Sequence, residues 1–216
     1  MVTGWICAAM GVAVVLLGGG AETGPPLLFR EDWTETPAAL PITQAHVANP
    51  DLMLTVHGPG GQRLKKSHHN RPADDPYYAW SGEAEATWAI SLAPRRAALD
   101  LGGAARIRWR ARQSGFRRLH VILRVDENTW IVSEQSDGAS DEWRVQEFNL
   151  GELRWRELDI ANVIEGDPVK SPNLSRVRAV GVSDLMRGGG TGASSRLDWI
   201  EVYGRAIPPP AERREK

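Results

Sequence analysis

The sequence predicts an all-β protein, an antiparallel β-sandwich of jelly-roll type. Apolar and polar residues alternate with a period of two along many short segments. Those segments return at short intervals, divided by Gly, Pro, Asp, Asn and Ser. Beyond the N-terminal stretch, no apolar pattern of helical period reaches the length of a helix. Short alternating strands joined by polar loops fit two packed sheets.

Leu52 to Val56 and Ala86 to Leu92 are the first strand candidates. The next is clearer: Ile107, Trp109 and Ala111 alternate with Arg106, Arg108, Arg110 and Arg112, giving one apolar and one basic face. Leu119, Val121, Leu123 and Val125 alternate with His120, Ile122 and Arg124. Turn formers Asp126-Glu127-Asn128 then lead into Trp130-Ile131-Val132, a hairpin pattern. Trp143 to Phe148, Arg154 to Leu158, Val177 to Val182 and Arg196 to Tyr203 complete the set. Trp109, Trp130 and Trp199 have apolar neighbours two residues away and are assigned to the core. Trp33, Trp143 and Trp155 sit among charges, and the pattern gives them no direction. From His57 to Ala79 the alternation stops. A polar, turn-rich stretch of that length inside a compact domain is uncommon unless it has a function.

Composition narrows the partners. The 216 residues carry 26 basic and 27 acidic side chains, a formal net charge of −1, which argues against a dedicated nucleic-acid binder. Residues 5–20 are uncharged and end in small residues. Residues 1–21 therefore read as an export signal, too short for a stable membrane span, so none is expected in the mature chain. The single cysteine, Cys7, leaves with that signal, excluding disulfides and thiolate zinc sites from the mature chain. Residues 208–216, a Pro run followed by charges, read as a disordered tail, leaving 27–207 as one domain. The expected location is outside the cytoplasm: periplasm, cell surface or medium.

Val177 to Gly204 reads VRAVGVSDLMRGGGTGASSRLDWIEVYG: a strand, a Gly/Ser-rich loop, and a last strand of the form x-L-D-W-I-x-V. This resembles the closing hairpin of galactose-binding-like β-sandwich domains, the fold of many carbohydrate-binding modules. The resemblance implies a non-catalytic carbohydrate or glycoconjugate binder. In calcium-containing members of that fold, an acidic residue near the first strand and the Asp of the last strand share a structural ion. Carried over, these are Glu31 or Asp32, and Asp198. Calcium takes hard oxygen ligands, so such an ion would tie the two chain ends together.

The candidate ligand site lies around residues 65–80. Lys65, Lys66, His68 and His69 donate, Asp74 and Asp75 accept, and Tyr77, Tyr78 and Trp80 offer flat faces; Arg112 and Gln113 end a neighbouring strand. Sugars suit such a surface, because C–H faces stack on rings while hydroxyls need paired donors and acceptors. Adjacent histidines on an extended chain point opposite ways, which disfavours a shared metal ion. The arginine stripe, with Arg117 and Arg118 beyond it, suits anions, or else pairs across strands with Glu134, Glu142 or Glu147. The sequence has no nucleophile elbow, and its Gly188–Gly192 run lacks the Lys-Ser/Thr of a phosphate loop. Two alternatives remain: a polysaccharide hydrolase or lyase using Asp74 or Asp75 with His68 or His69, and a structural envelope domain binding partners through its arginine face.

Overall fold

The computed structural model describes residues 24–83, 85–188 and 191–208. The expected export signal lies outside these residues, as does the expected tail apart from Pro208. In chain order the strands are β1 (Leu27–Glu31), β2 (Leu52–His57), β3 (Lys65–Ser67), β4 (Tyr78–Trp80), β5 (Trp88–Pro94), β6 (Ala98–Asp100), β7 (Arg106–Gln113) and β8 (Leu119–Arg124). They continue with β9 (Trp130–Asp137), β10 (Arg144–Asn149), β11 (Trp155–Asp159), β12 (Ile164–Val169), β13 (Ala179–Asp184), β14 (Ser195–Tyr203) and β15 (Arg205–Ile207).

These strands form an antiparallel β-sandwich of jelly-roll type. One sheet runs β10-β7-β14-β4-β3, with β1 also on β14; the other runs β12-β11-β9-β8-β13-β5-β2; β15 and β6 form a small side pair. Ile107, Trp109, Ile200 and Val202 from the first sheet meet Ile90, Leu92, Val121 and Val182 from the second in one buried core. A smaller cluster, with Ile122, Trp130, Val132 and Ala179, occupies the other face of the second sheet. Gly181 shows how closely β13 and β5 approach: a Cβ there would fall 2.0 Å from the Ile90 carbonyl oxygen.

Three sequence expectations change. Trp199 is not a core residue. The register of β14 on β7 slips between Leu197 and Trp199, so Trp199 lies opposite the outward Arg110 and turns out with it. Arg117 is not part of a surface stripe: it is fully buried and pairs with the equally buried Asp184 at 3.3 Å. The segment from His57 to Ala79 is not wholly loop, since both ends form short strands and β3 pairs with β4. Of the undirected tryptophans, Trp33 and Trp155 enter the core, and Trp143 remains outside it. No helix among the described residues is long and apolar enough to cross a membrane, which says nothing of a β-barrel.

Candidate functional site

The outer face of the six-stranded sheet is built by cross-strand rows. Arg30 of β1 lies opposite Glu201 of β14, which lies opposite Arg108 of β7, which lies opposite Glu147 of β10. Alternating charge across neighbouring strands is mutually stabilising. The contacts follow the register: Arg30 to Glu201 at 2.6 Å, and Arg108 to Glu201 at 3.6 Å and to Glu147 at 3.4 Å. Glu201 also accepts a 2.8 Å bond from the Tyr203 hydroxyl. Arg110 donates to Asp198 at 2.7 Å, and Arg106 sits 3.5 Å from Glu147. The arginine stripe thus pairs across strands, with Glu147 as the sequence allowed; Glu134 instead pairs with Arg154 and Arg156 on the other sheet.

Four half-buried rings stand among these charges: Trp80, Trp143, Trp199 and Tyr203. Each is faced by a guanidinium: Arg196 lies 5.6 Å from the Trp80 centroid, Arg110 5.4 Å from Trp143, Arg30 4.4 Å from Trp199 and Arg106 4.3 Å from Tyr203. The row Lys65–Trp80–Arg196–Arg112 closes the face at its β3 edge. Hydrogen bonding to Asp32 holds the Arg30 guanidinium well above the usual arginine range, against the opposing effect of burial.

The 65–80 hairpin borders this face and is largely satisfied by itself. Asp75 Oδ2 accepts from the His69 backbone N–H at 2.8 Å and lies 2.9 Å from His69 Nδ1, while the Tyr78 hydroxyl is 3.0 Å from the same nitrogen. His68 stacks on Tyr77 with centroids 4.0 Å apart, and the Lys66 ammonium lies 4.0 Å from the Tyr77 centroid. The Lys66 side chain is buried and donates to the Thr36 carbonyl; burial lowers its pKa. Asp74 is exposed. Lys65 lies 4.7 Å from the Trp80 centroid. Gln113 is buried and donates to Asp137 at 2.9 Å, inside the sandwich, whereas Arg112 is exposed. Lys65, Trp80 and Arg112 therefore share one face, while Lys66 and Gln113 serve the interior. Four surface concavities of about 330–600 Å³ lie elsewhere among the described residues.

Of the carboxylates carried over for calcium, Glu31 does not fit an ion shared with Asp198. The fully buried Glu31 has its oxygens filled by backbone donors: Trp33 N–H at 2.8 Å, Ala48 N–H at 2.7 Å and Asn49 N–H at 3.0 Å. Glu31 is opposite the core residue Ile200 and faces inward. Asp32 and Asp198 lie outside, where Arg30 and Arg110 supply the positive charge. Burial raises the carboxyl pKa of both Glu31 and Asp198. Among the described residues no three His, Cys, Asp or Glu side chains are grouped to hold a metal.

No family model matches the chain, and no curated protein matches it. Solved structures do resemble it. The likeness is one of fold, to carbohydrate-binding modules. One is the family 11 module of the cellulosomal cellulase Lic26A-Cel5E of Clostridium thermocellum, at 11% identity and TM-score 0.47, covering 80% of this chain and 97% of that one. Another is TmCBM61, solved with β-1,4-galactotriose, at 11% identity and TM-score 0.41, covering 70% and 88%. An exo-β-agarase matches at 9% identity and TM-score 0.40 over 83% of this chain, but only 26% of its own length.

Proposed function

We propose that this chain is an exported, non-catalytic carbohydrate- or glycoconjugate-binding β-sandwich, and that it meets its glycan on the outer face of the six-stranded sheet beside the β3–β4 hairpin. The observation that carries the reading is the set of four half-buried rings, Trp80, Trp143, Trp199 and Tyr203, on one sheet face among fixed guanidiniums and carboxylates. Sugar rings present apolar C–H faces and a rim of hydroxyls, and this surface offers apolar edges with donors and acceptors at their sides. Because Arg106, Arg108 and Arg110 along β7 are neutralised by Glu147, Glu201 and Asp198, the ligand that suits this part of the face is a neutral glycan.

Affinity electrophoresis in gels containing a panel of neutral polysaccharides tests this. The full chain is retarded by at least one polymer, and Trp80→Ala and Trp143→Ala each weaken that retention about tenfold while circular dichroism is unchanged. A panel that retains nothing, or variants that bind like the parent, overturns the reading.

One observation favours a second reading. His69 is oriented by Asp75, as a general base is oriented by a carboxylate. On that reading the hairpin cleaves a glycan, and polysaccharide-degrading activity is lost in Asp75→Asn.

A further inference from the structure

We propose a second ligand site, on the opposite sheet, that takes an anionic polysaccharide through carboxylate or sulfate groups. It is independent of the neutral-glycan reading, since it uses another face and another chemistry.

The site is a groove of about 540 Å³ at one end of the seven-stranded sheet, where the ends of β5 and β8 meet the chain entering β13. Ala179 pairs with Arg124, and the Arg178 backbone N–H donates to the Arg124 carbonyl at 2.7 Å. That pairing gathers arginines distant in sequence: Arg95, Arg96, Arg124, Arg176 and Arg178 line the groove, and among the described residues no acidic one does. Its volume falls in the range of small-ligand pockets, roughly 300–1,000 Å³.

The arginines are poorly neutralised. Arg96 and Arg176 have no hydrogen bond or ion pair among the described residues, and both are exposed. Arg95 donates to a neutral acceptor, the Pro50 carbonyl, at 3.0 Å. Arg178 pairs at 2.9 Å with Glu127, whose side chain is 75% exposed, and such surface pairs are weak. Arg124 leans toward the Trp130 ring, 5.9 Å from its centroid, with its Nε buried and unpartnered. A buried donor without an acceptor is costly, so the Arg124 guanidinium is not satisfied by the protein itself. The charge of Arg124 is also felt by its neighbour His57, whose pKa is pushed down to about 4, chiefly by burial and then by that guanidinium.

The rest of the lining selects the class of anion. Met53, Ala93 and Ile207 give apolar contact for sugar C–H faces beside the guanidiniums, which bind carboxylate or sulfate bidentately. Among the described residues no aromatic ring lines the groove, so these supply no stacking platform of the kind single-stranded nucleic-acid sites use.

The test uses the full chain in affinity gels containing polygalacturonate, dextran sulfate or neutral dextran, with competition by inorganic phosphate, phosphatidylserine vesicles and single-stranded DNA. Retardation by polygalacturonate or dextran sulfate, but not by dextran, is expected. It weakens with salt, falls at least about tenfold in Arg96→Gln/Arg176→Gln, and persists in Arg154→Gln, an arginine paired elsewhere. Polygalacturonate retention identifies uronate as the group read, and dextran sulfate retention identifies sulfate. Absence of retardation by either polymer, an equal loss in Arg154→Gln, or preferential capture by phosphate, vesicles or DNA overturns the proposal. Trp80→Ala leaves this retention unchanged, so failure here and failure of the neutral-glycan reading are separable.

Discussion

On the outer face of the six-stranded sheet, Arg30, Arg106, Arg108 and Arg110 each reach a carboxylate, and three of them also face a ring. In the groove on the seven-stranded sheet, Arg96 and Arg176 reach none, and Arg124 keeps a buried Nε without an acceptor. The difference comes from cross-strand register. Along the first face, β1, β14, β7 and β10 place opposite charges side by side. At the groove, strand ends from three parts of the chain converge without an acid among them. The same residue type therefore makes a charge-paired surface along β1, β14, β7 and β10 in one place and an anion receptor in the other.

A third arginine environment sets the upper end of the scale. Arg117 and Asp184 are a fully buried pair, in which burial raises the Asp184 carboxyl pKa and Arg117 opposes that shift. Removing one member leaves the other charged in the interior, so Arg117→Met is expected to lower unfolding free energy by about 3–5 kcal/mol in urea titration. Arg96→Gln, in the exposed groove, is expected to shift it by less than about 0.5 kcal/mol. Equal costs would break the distinction between structural and ligand-facing arginines.

Glu201→Gln sharpens the contrast more selectively. It removes the charge that holds Arg30 and Arg108, and is expected to cost about 1–2 kcal/mol. It also leaves Arg30 to Asp32 alone and Arg108 to share Glu147 with Arg106, so the face gains one net positive charge and should begin to retain dextran sulfate even with Arg96 and Arg176 replaced. A face that stays inert to the polyanion would show that pairing does not decide which sheet takes a charged ligand.

A further expected effect concerns acid. His57 lies edge-on to Trp130 and 2.9 Å from the Ser91 hydroxyl, with its pKa lowered from 6.5 to about 4 by burial first and Arg124 second. The folded state resists a proton that the unfolded chain accepts. The stability associated with a neutral His57 is thus complete above pH 6.5, declines as pH falls, and is fully lost below about pH 4. The loss is roughly 1–2 kcal/mol once the ring's partial exposure is allowed for. In His57→Gln, the unfolding midpoint should vary less between those pH values, and an unchanged slope would exclude His57 as its source.

The strand alternation made the sandwich legible: β7, β8, β9, β10, β13 and β14 fall where the period of two places them. The tryptophans show where alternation stops being enough. Trp109 follows the pattern into the core, but one extra residue at Asp198 turns Trp199 outward, and no local signal marks that slip. The resemblance implied Glu31 or Asp32 with Asp198 as ion ligands, yet Glu31 and Asp198 face opposite sides of the sheet, and Glu31 is occupied by three backbone N–H groups. The hairpin was legible as an unusual polar segment; its internal pairing of His69, Asp75 and Tyr78 needed coordinates. Trp143 and Tyr203 share the face with Trp80, but the pattern gave Trp143 no direction among its charged neighbours, and Tyr203 lies at a strand end. The groove was illegible for a different reason: Arg95, Arg124 and Arg176 become neighbours only when β5, β13 and β8 pair.

Backbone amide NMR with a short uronate oligosaccharide tests the division of the two faces most directly. Shift changes confined to residues 93–98, 124 and 176–178, with 106–112 and 196–203 silent, are the predicted result. Changes centred on 106–112 and 196–203, or no localised change at all, would contradict it.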